Sequence, residues 1–164
     1  MTFWETIRPL FTNQILLVSA FSWFMSQLIK ATINIIVYRK FSLERLFGDG
    51  GMPSGHSATV TALAIMTGYY EGFGSALFAV SAIFAIVVMH DAMGVRRETG
   101  KHAVSIMELA DAVNNLFLED DHGIKTENLK VLVGHTPLQV ILGSVLGAVL
   151  AISHILLNII SELI

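Results

Sequence analysis

Apolar residues in this chain gather into four long runs, Ile15 to Tyr38, Ser57 to Tyr70, Ser75 to Met89 and Leu138 to Ile160, with few charges inside any of them. The first and last are long enough to cross a hydrocarbon layer of about 30 Å, which takes roughly 20 helical residues. The middle two are short, and Tyr70-Glu71-Gly72-Phe73-Gly74 parts them with a tight turn. This pattern predicts an antiparallel helical hairpin shielded, at least in part, by the outer helices. The fold class expected is an all-α integral membrane protein. It is a bundle of about four transmembrane segments, two of them short, with one further helix at the cytoplasmic interface.

That further helix comes from the polar interval 92–136. Within it Ile106, Leu109, Ala110, Val113, Leu116 and Phe117 recur at three- and four-residue steps, which predicts an amphipathic helix over 103–118. Such a helix lies on the membrane or against the bundle. Glu119-Asp120-Asp121 reads as a solvated turn, and Thr126 as the cap of a short helix ending at Gly134. The last apolar run has a sharply marked start. Thr136 suits an N-cap, Pro137 the first helical position, and Gln139 completes a capping box three residues after the cap. Inside that run, Gly143 and Gly147 form a small-xxx-small pattern. It permits close packing within the bundle or in a homodimer.

Composition agrees with this reading. Hydrophobic residues make up 54% of the 164 residues and charged ones 14%, far from the usual soluble balance. The length fits a single membrane domain, 1–164, with 92–136 as a cytoplasmic insertion. No cysteine is present, so disulfides and thiolate metal sites are excluded. Glu5 beside Arg8, with no small-x-small site after the first run, does not resemble a cleaved signal peptide. No basic stripe suits nucleic acid. If all four runs cross, Arg39, Lys40, Arg45, Arg96, Arg97, Lys101, Lys125 and Lys130 share one side and only Arg8 stands on the other. The positive-inside rule then makes 39–56 and 92–136 cytoplasmic.

Between the first two runs lies Pro53-Ser54-Gly55-His56-Ser57. His56 and His135 occupy matching local settings, each at or just before a helix start on the same predicted side. Free backbone N–H groups and the positive end of the helix dipole favour an anion there. The same field disfavours imidazolium, which keeps a histidine neutral and nucleophilic. Two such ends facing one cavity make a phosphate cradle; otherwise each histidine is an ordinary interfacial turn residue. Lys30, inside the first run, either snorkels to the interface or faces that cavity. Arg39 is an oxyanion clamp or a positive-inside anchor. Arginine suits bidentate contact with phosphate, so one of Arg96 and Arg97 enters the site while the other meets lipid headgroups or Asp91. His90, His102, His122 and His154 lack metal-ligand spacing, and no metal or cofactor is called for.

These residues resemble the phosphatidic acid phosphatase type 2 and vanadium haloperoxidase superfamily, and more closely its divergent branch of small bacterial and plant membrane proteins. Pro53-Ser54-Gly55-His56 matches the superfamily's second motif outright, and Gly134-His135-Thr136-Pro137-Leu138-Gln139 is similar to the end of the third. The resemblance spans about 30–147. Departures are plain. Lys30 and Arg39 are more widely spaced than the usual first motif, and Lys40 stands where proline is usual. Arg96 lies 39 positions before His135; it precedes His102 at the family interval, but that histidine has neither a following membrane helix nor an aspartate four residues on. Gln139 occupies the position of the acidic residue that orients the nucleophilic histidine.

The resemblance implies a metal-independent, cofactor-free lipid-phosphate phosphatase working in two steps at the cytoplasmic interface of a bacterial plasma membrane or a plastid-type membrane. His135 is the implied nucleophile, forming a phosphohistidine, and His56 the acid and then the base. Lys30, Arg39, Arg96 or Arg97, the Ser54 hydroxyl and the Gly55 and His56 amides are the implied phosphate ligands. Gln139 and Asp91 are the implied orienting residues. Phosphatidic acid, phosphatidylglycerol phosphate and polyprenyl phosphates or diphosphates are the implied substrate class, so the implied enzyme is a phosphomonoesterase or a diphosphatase. Two other classes compete: a non-catalytic lipid-phosphate binding or translocation protein with a degenerate site, and a structural membrane protein whose helix 103–118 recruits a partner.

Overall fold

The structure, a computed structural model, describes residues 2–38, 51–116 and 134–164, with Val95, Arg96, Arg97, Asn115 and Leu116 described by their backbone alone. The chain opens with a short helix α1 (Phe3–Ile7) and a 3-10 turn at Arg8–Phe11. Four helices then run back and forth: α2 (Gln14–Tyr38), α3 (Gly55–Glu71), α4 (Ala76–Met93) and, after a fifth, α5 (Val95–Leu116), the last helix α6 (Pro137–Leu163). Among the described residues there is no strand.

The bundle is built around α3, which packs on α2, α4 and α6. Its sequence explains why. Ala58, Ala62 and Met66 are fully buried, and small residues on this helix let three neighbours approach at once. Val18 of α2 and Ala151 of α6 close the apolar core around Ala62 and Met66, with Ile15, Ile65 and Ile155 against it. The buried serines of α2 turn back onto their own helix: Ser19 Oγ donates to the Ile15 carbonyl at 2.6 Å and Ser22 Oγ to that of Val18 at 2.9 Å. That internal satisfaction lets polar side chains sit in an apolar interface.

The small-xxx-small pair of α6 serves this interior packing. A Cβ on Gly143 would collide with the carbonyl oxygen of Ser54, and one on Gly147 with that of Ala58. The two helices therefore touch backbone to backbone along the first turns of α3.

Three helical stretches are long and apolar enough to cross a membrane: Gln14–Val37, Ala76–Asn114 and Pro137–Leu163. The protein is an all-α membrane bundle. With 17 residues, α3 is about 26 Å long at 1.5 Å per residue, just short of a full span. The expected hairpin of α3 and α4 is present, turning at Gly72 with φ +90°. Its shielding by the outer helices is partial, as expected. Only α3 is enclosed, whereas α4 turns Val80, Ile83, Phe84, Ile86 and Val87 outward. The amphipathic helix is also longer than its apolar pattern, beginning at Val95 immediately after α4. It leaves Ile106 and Leu109 exposed, while Ala110 is buried. The turn at Glu119-Asp120-Asp121 and the short helix expected from Thr126 lie outside the described residues.

Candidate functional site

Four helix ends meet at one pole of the bundle, and two histidines stand there in contact. Their ring centroids are 5.9 Å apart with an interplanar angle of 63°, an edge-to-face pair. His56 is the second residue of α3; His135 is two residues before α6.

Each histidine is held by the way its helix begins. Ser54 caps α3, its Oγ accepting from the Ser57 N–H at 3.3 Å and from the Ser57 hydroxyl at 3.0 Å. Both serines are fully buried, so the Ser54 hydroxyl has a structural task in this arrangement. Gly55 is required by crowding: a Cβ there would stand 2.9 Å from Ser26 Oγ and 3.3 Å from Trp23 Cδ1. The Ser54 N–H donates to the Gln139 carbonyl at 2.9 Å, and the His135 N–H to the Ala92 carbonyl at 2.9 Å. These two bonds tie the start of α3 to the first turn of α6, and the approach to α6 to the end of α4.

Gln139 completes the capping box as expected, and it also reaches the histidine. Its Oε1 accepts from the Thr136 N–H at 3.0 Å and lies 3.1 Å from His135 Nδ1. A backbone N–H can only donate, so the atom facing it must be the amide oxygen. The oxygen can only accept, so His135 Nδ1 must carry the hydrogen. A neutral His135 ring therefore keeps its lone pair on Nε2. The cap thus fixes both the direction of the ring and its tautomer, the task usually given to a carboxylate.

The other expected residues fall into two groups. Lys30 is buried, 4% exposed, so it does not snorkel to solvent. Its stem runs beneath the loop that leads into the motif, where a Cβ on Gly51 would stand 3.7 Å from Lys30 Cδ. Asp91, in the last turn of α4, lines a cavity of about 310 Å³ together with His56, Val87, Val88 and Ala92. The backbones of Arg96 and Arg97 open α5, just beyond that cavity in the chain; Arg39 lies outside the described residues. Of the remaining histidines, His90 and His102 are exposed and His154 meets Asn158 Nδ2 at 3.1 Å near the far end of α6.

Sequence reasoning did not pick out Val87 and Val88 as cavity residues. The signal was present in the three- and four-residue steps that set them on the same side of α4 as Asp91.

A family model described as the divergent PAP2 family matches residues 11–150, which takes in every helix from α2 to most of α6. The chain belongs to the divergent PAP2 family. A relative in Bacillus subtilis (strain 168), the uncharacterized membrane protein YuiD, is 41% identical over 149 residues, covering 87% of this chain and 94% of its own. No solved structure matches the chain. Membership in the divergent PAP2 family agrees with the resemblance of the Pro53–His56 and His135–Gln139 segments to that superfamily, and the relative's description agrees with a membrane location.

Proposed function

We propose that the protein is a lipid-phosphate phosphatase whose site is the pole where α3, α4 and α6 meet. The observation that carries this reading is the His56–His135 pair, with the tautomer of His135 set by Gln139. His135 Nε2 bears the lone pair needed to attack phosphorus. His56, on the cavity wall, delivers a proton to the departing lipid alkoxide. It then takes a proton from water as that water attacks the phosphohistidine, releasing phosphate and restoring His135.

The rings touch in the structure, and His135 is buried. A phosphoryl group therefore enters as the His56 ring swings toward the cavity. The start of α3 offers backbone N–H groups to the equatorial oxygens, and Lys30 supplies a positive charge from below. Arg39 and one of Arg96 and Arg97 are proposed as further clamps. The lysine- and arginine-rich side is proposed to be cytoplasmic.

Purified protein in detergent should release phosphate from phosphatidic acid, phosphatidylglycerol phosphate or a polyprenyl phosphate in the presence of a chelator. The His135→Ala variant should not. Undiminished release by that variant would remove His135 from the nucleophile's role.

One observation favours a second reading. Gln139 orients His135 but carries no charge to stabilise an imidazolium, so the pole would serve a non-catalytic lipid-phosphate binder equally well. Saturable vanadate binding, with no release above a His56→Ala/His135→Ala double variant, would select it.

A further inference from the structure

The outward side of α4 carries a pattern that the packing of the bundle does not use. Val80, Phe84, Val87 and Asp91 follow at steps of four, three and four residues, so they form one stripe along the helix. The three apolar members are 67%, 51% and 58% exposed. Ser81, Ala85 and Ala92, which α4 buries against the bundle, lie about 100° around the helix from the stripe. Ile86 is equally exposed, at 59%, and Ala79 is exposed too, but both stand on the other flank.

Only the first of these flanks leads to the cavity. Its wall is made by Val87, Val88, Asp91 and Ala92 with His56. The stripe is thus apolar for three positions and ends in a carboxylate beside the histidine. From Val80 to Asp91 it rises eleven residues, about 16 Å. That is about half of a 30 Å hydrocarbon layer, the depth of one leaflet.

We propose that this stripe is the track of a lipid tail. A lipid from the leaflet that borders the site places its phosphate at His56 and lays its chain along Val87, Phe84 and Val80. The inference rests on reading the pole as a lipid-phosphate site. It adds that the substrate approaches sideways from the bilayer, across α4, with its tail held along that one flank of the helix.

The chain has no cysteine, so a single introduced one is a unique label site. Phe84→Cys and Val80→Cys place a fluorophore on the stripe; Ala79→Cys and Ile86→Cys place it on the other flank. Each protein is reconstituted in phosphatidylcholine vesicles containing either phosphatidic acid or phosphatidylcholine with brominated acyl chains, which quench on contact. At positions 84 and 80, brominated phosphatidic acid should reach half-quenching at a concentration about tenfold below that needed by brominated phosphatidylcholine, equivalent to about 1.4 kcal/mol. At 79 and 86 the two lipids should quench alike. Equal dose dependence at all four positions would overturn the track. The readout does not depend on turnover. Selective quenching without phosphate release keeps the track and rejects the phosphatase, and release with uniform quenching does the reverse.

Discussion

Replacing Gln139 separates what the side chain does for the helix from what it does for the histidine. Its Oε1 accepts two hydrogen bonds, from the Thr136 N–H and from His135 Nδ1. Gln139→Ala removes both. Loss of the capping contact costs about 1 kcal/mol, and leaving a donor on a residue only 1% exposed costs a further 1–3 kcal/mol or so. Together that is roughly 2–4 kcal/mol of stability, with the His135 ring freed to change tautomer. Gln139→Glu keeps both acceptors and adds a negative charge at a helix start, worth about 0.3–1 kcal/mol in its favour. A carboxylate also stabilises the cationic ring that forms as His135 Nε2 takes up the phosphoryl group. The Glu variant should therefore unfold no earlier than the natural protein and turn over lipid phosphate faster, while the Ala variant loses on both counts. Chemical denaturation in detergent and phosphate release measure the two effects. Nitrogen-15 chemical shifts of His135 should show hydrogen on Nδ1 in the natural protein and a mixture in the Ala variant. An Ala variant with unchanged stability and an unchanged histidine spectrum would refute the reasoning.

Other substitutions probe the surrounding structure. Gly147→Ala sets a methyl group against the Ala58 carbonyl oxygen, which the backbone of α3 cannot move independently; denaturant titration should show a loss of about 1–3 kcal/mol. Lys30→Met keeps the volume and removes a buried charge, so kcat/KM for a lipid phosphate should fall by roughly 10- to 100-fold, as expected for loss of a charged hydrogen bond of about 1.5–3 kcal/mol. Ile106→Glu with Leu109→Glu alters two exposed positions of α5. The bundle's unfolding midpoint should shift by less than the equivalent of about 0.5 kcal/mol, and tryptic cleavage within α5 in vesicles should become faster if that face rests on lipid.

Much of this architecture was legible because membrane spans and helix starts are written locally. Apolar runs of sufficient length mark α2 and α6, and Thr136, Pro137 and Gln139 mark where α6 begins. The Pro53–His56 segment announced the site, and its equivalence with His135 followed from both standing before apolar helices. What stayed hidden depends on neighbours. An apolar run reads the same whether it faces lipid or protein, so α3 and α4 looked alike. The small residues Ala58, Ala62 and Gly68 on α3, against Val80, Ile83 and Phe84 on α4, were the available distinction. Polar Arg96, Arg97 and Glu98 concealed the early start of α5, because a helix leaving the membrane needs no apolar face in its first turn. The double task of Gln139 was also concealed. Sequence offered the cap and the histidine-orienting position as rivals, and the geometry lets one oxygen do both.

The central claim is that His135 carries the phosphoryl group between lipid and water. Reconstituted protein would be mixed with lipid bearing a radiolabelled terminal phosphate, quenched in alkali, where phosphohistidine survives, and digested for mass spectrometry. A phosphate on His135 that forms and decays during turnover, and accumulates in His56→Ala, is the predicted result. Phosphate release with label found only on His56, or with no labelled peptide in either protein, would contradict the account.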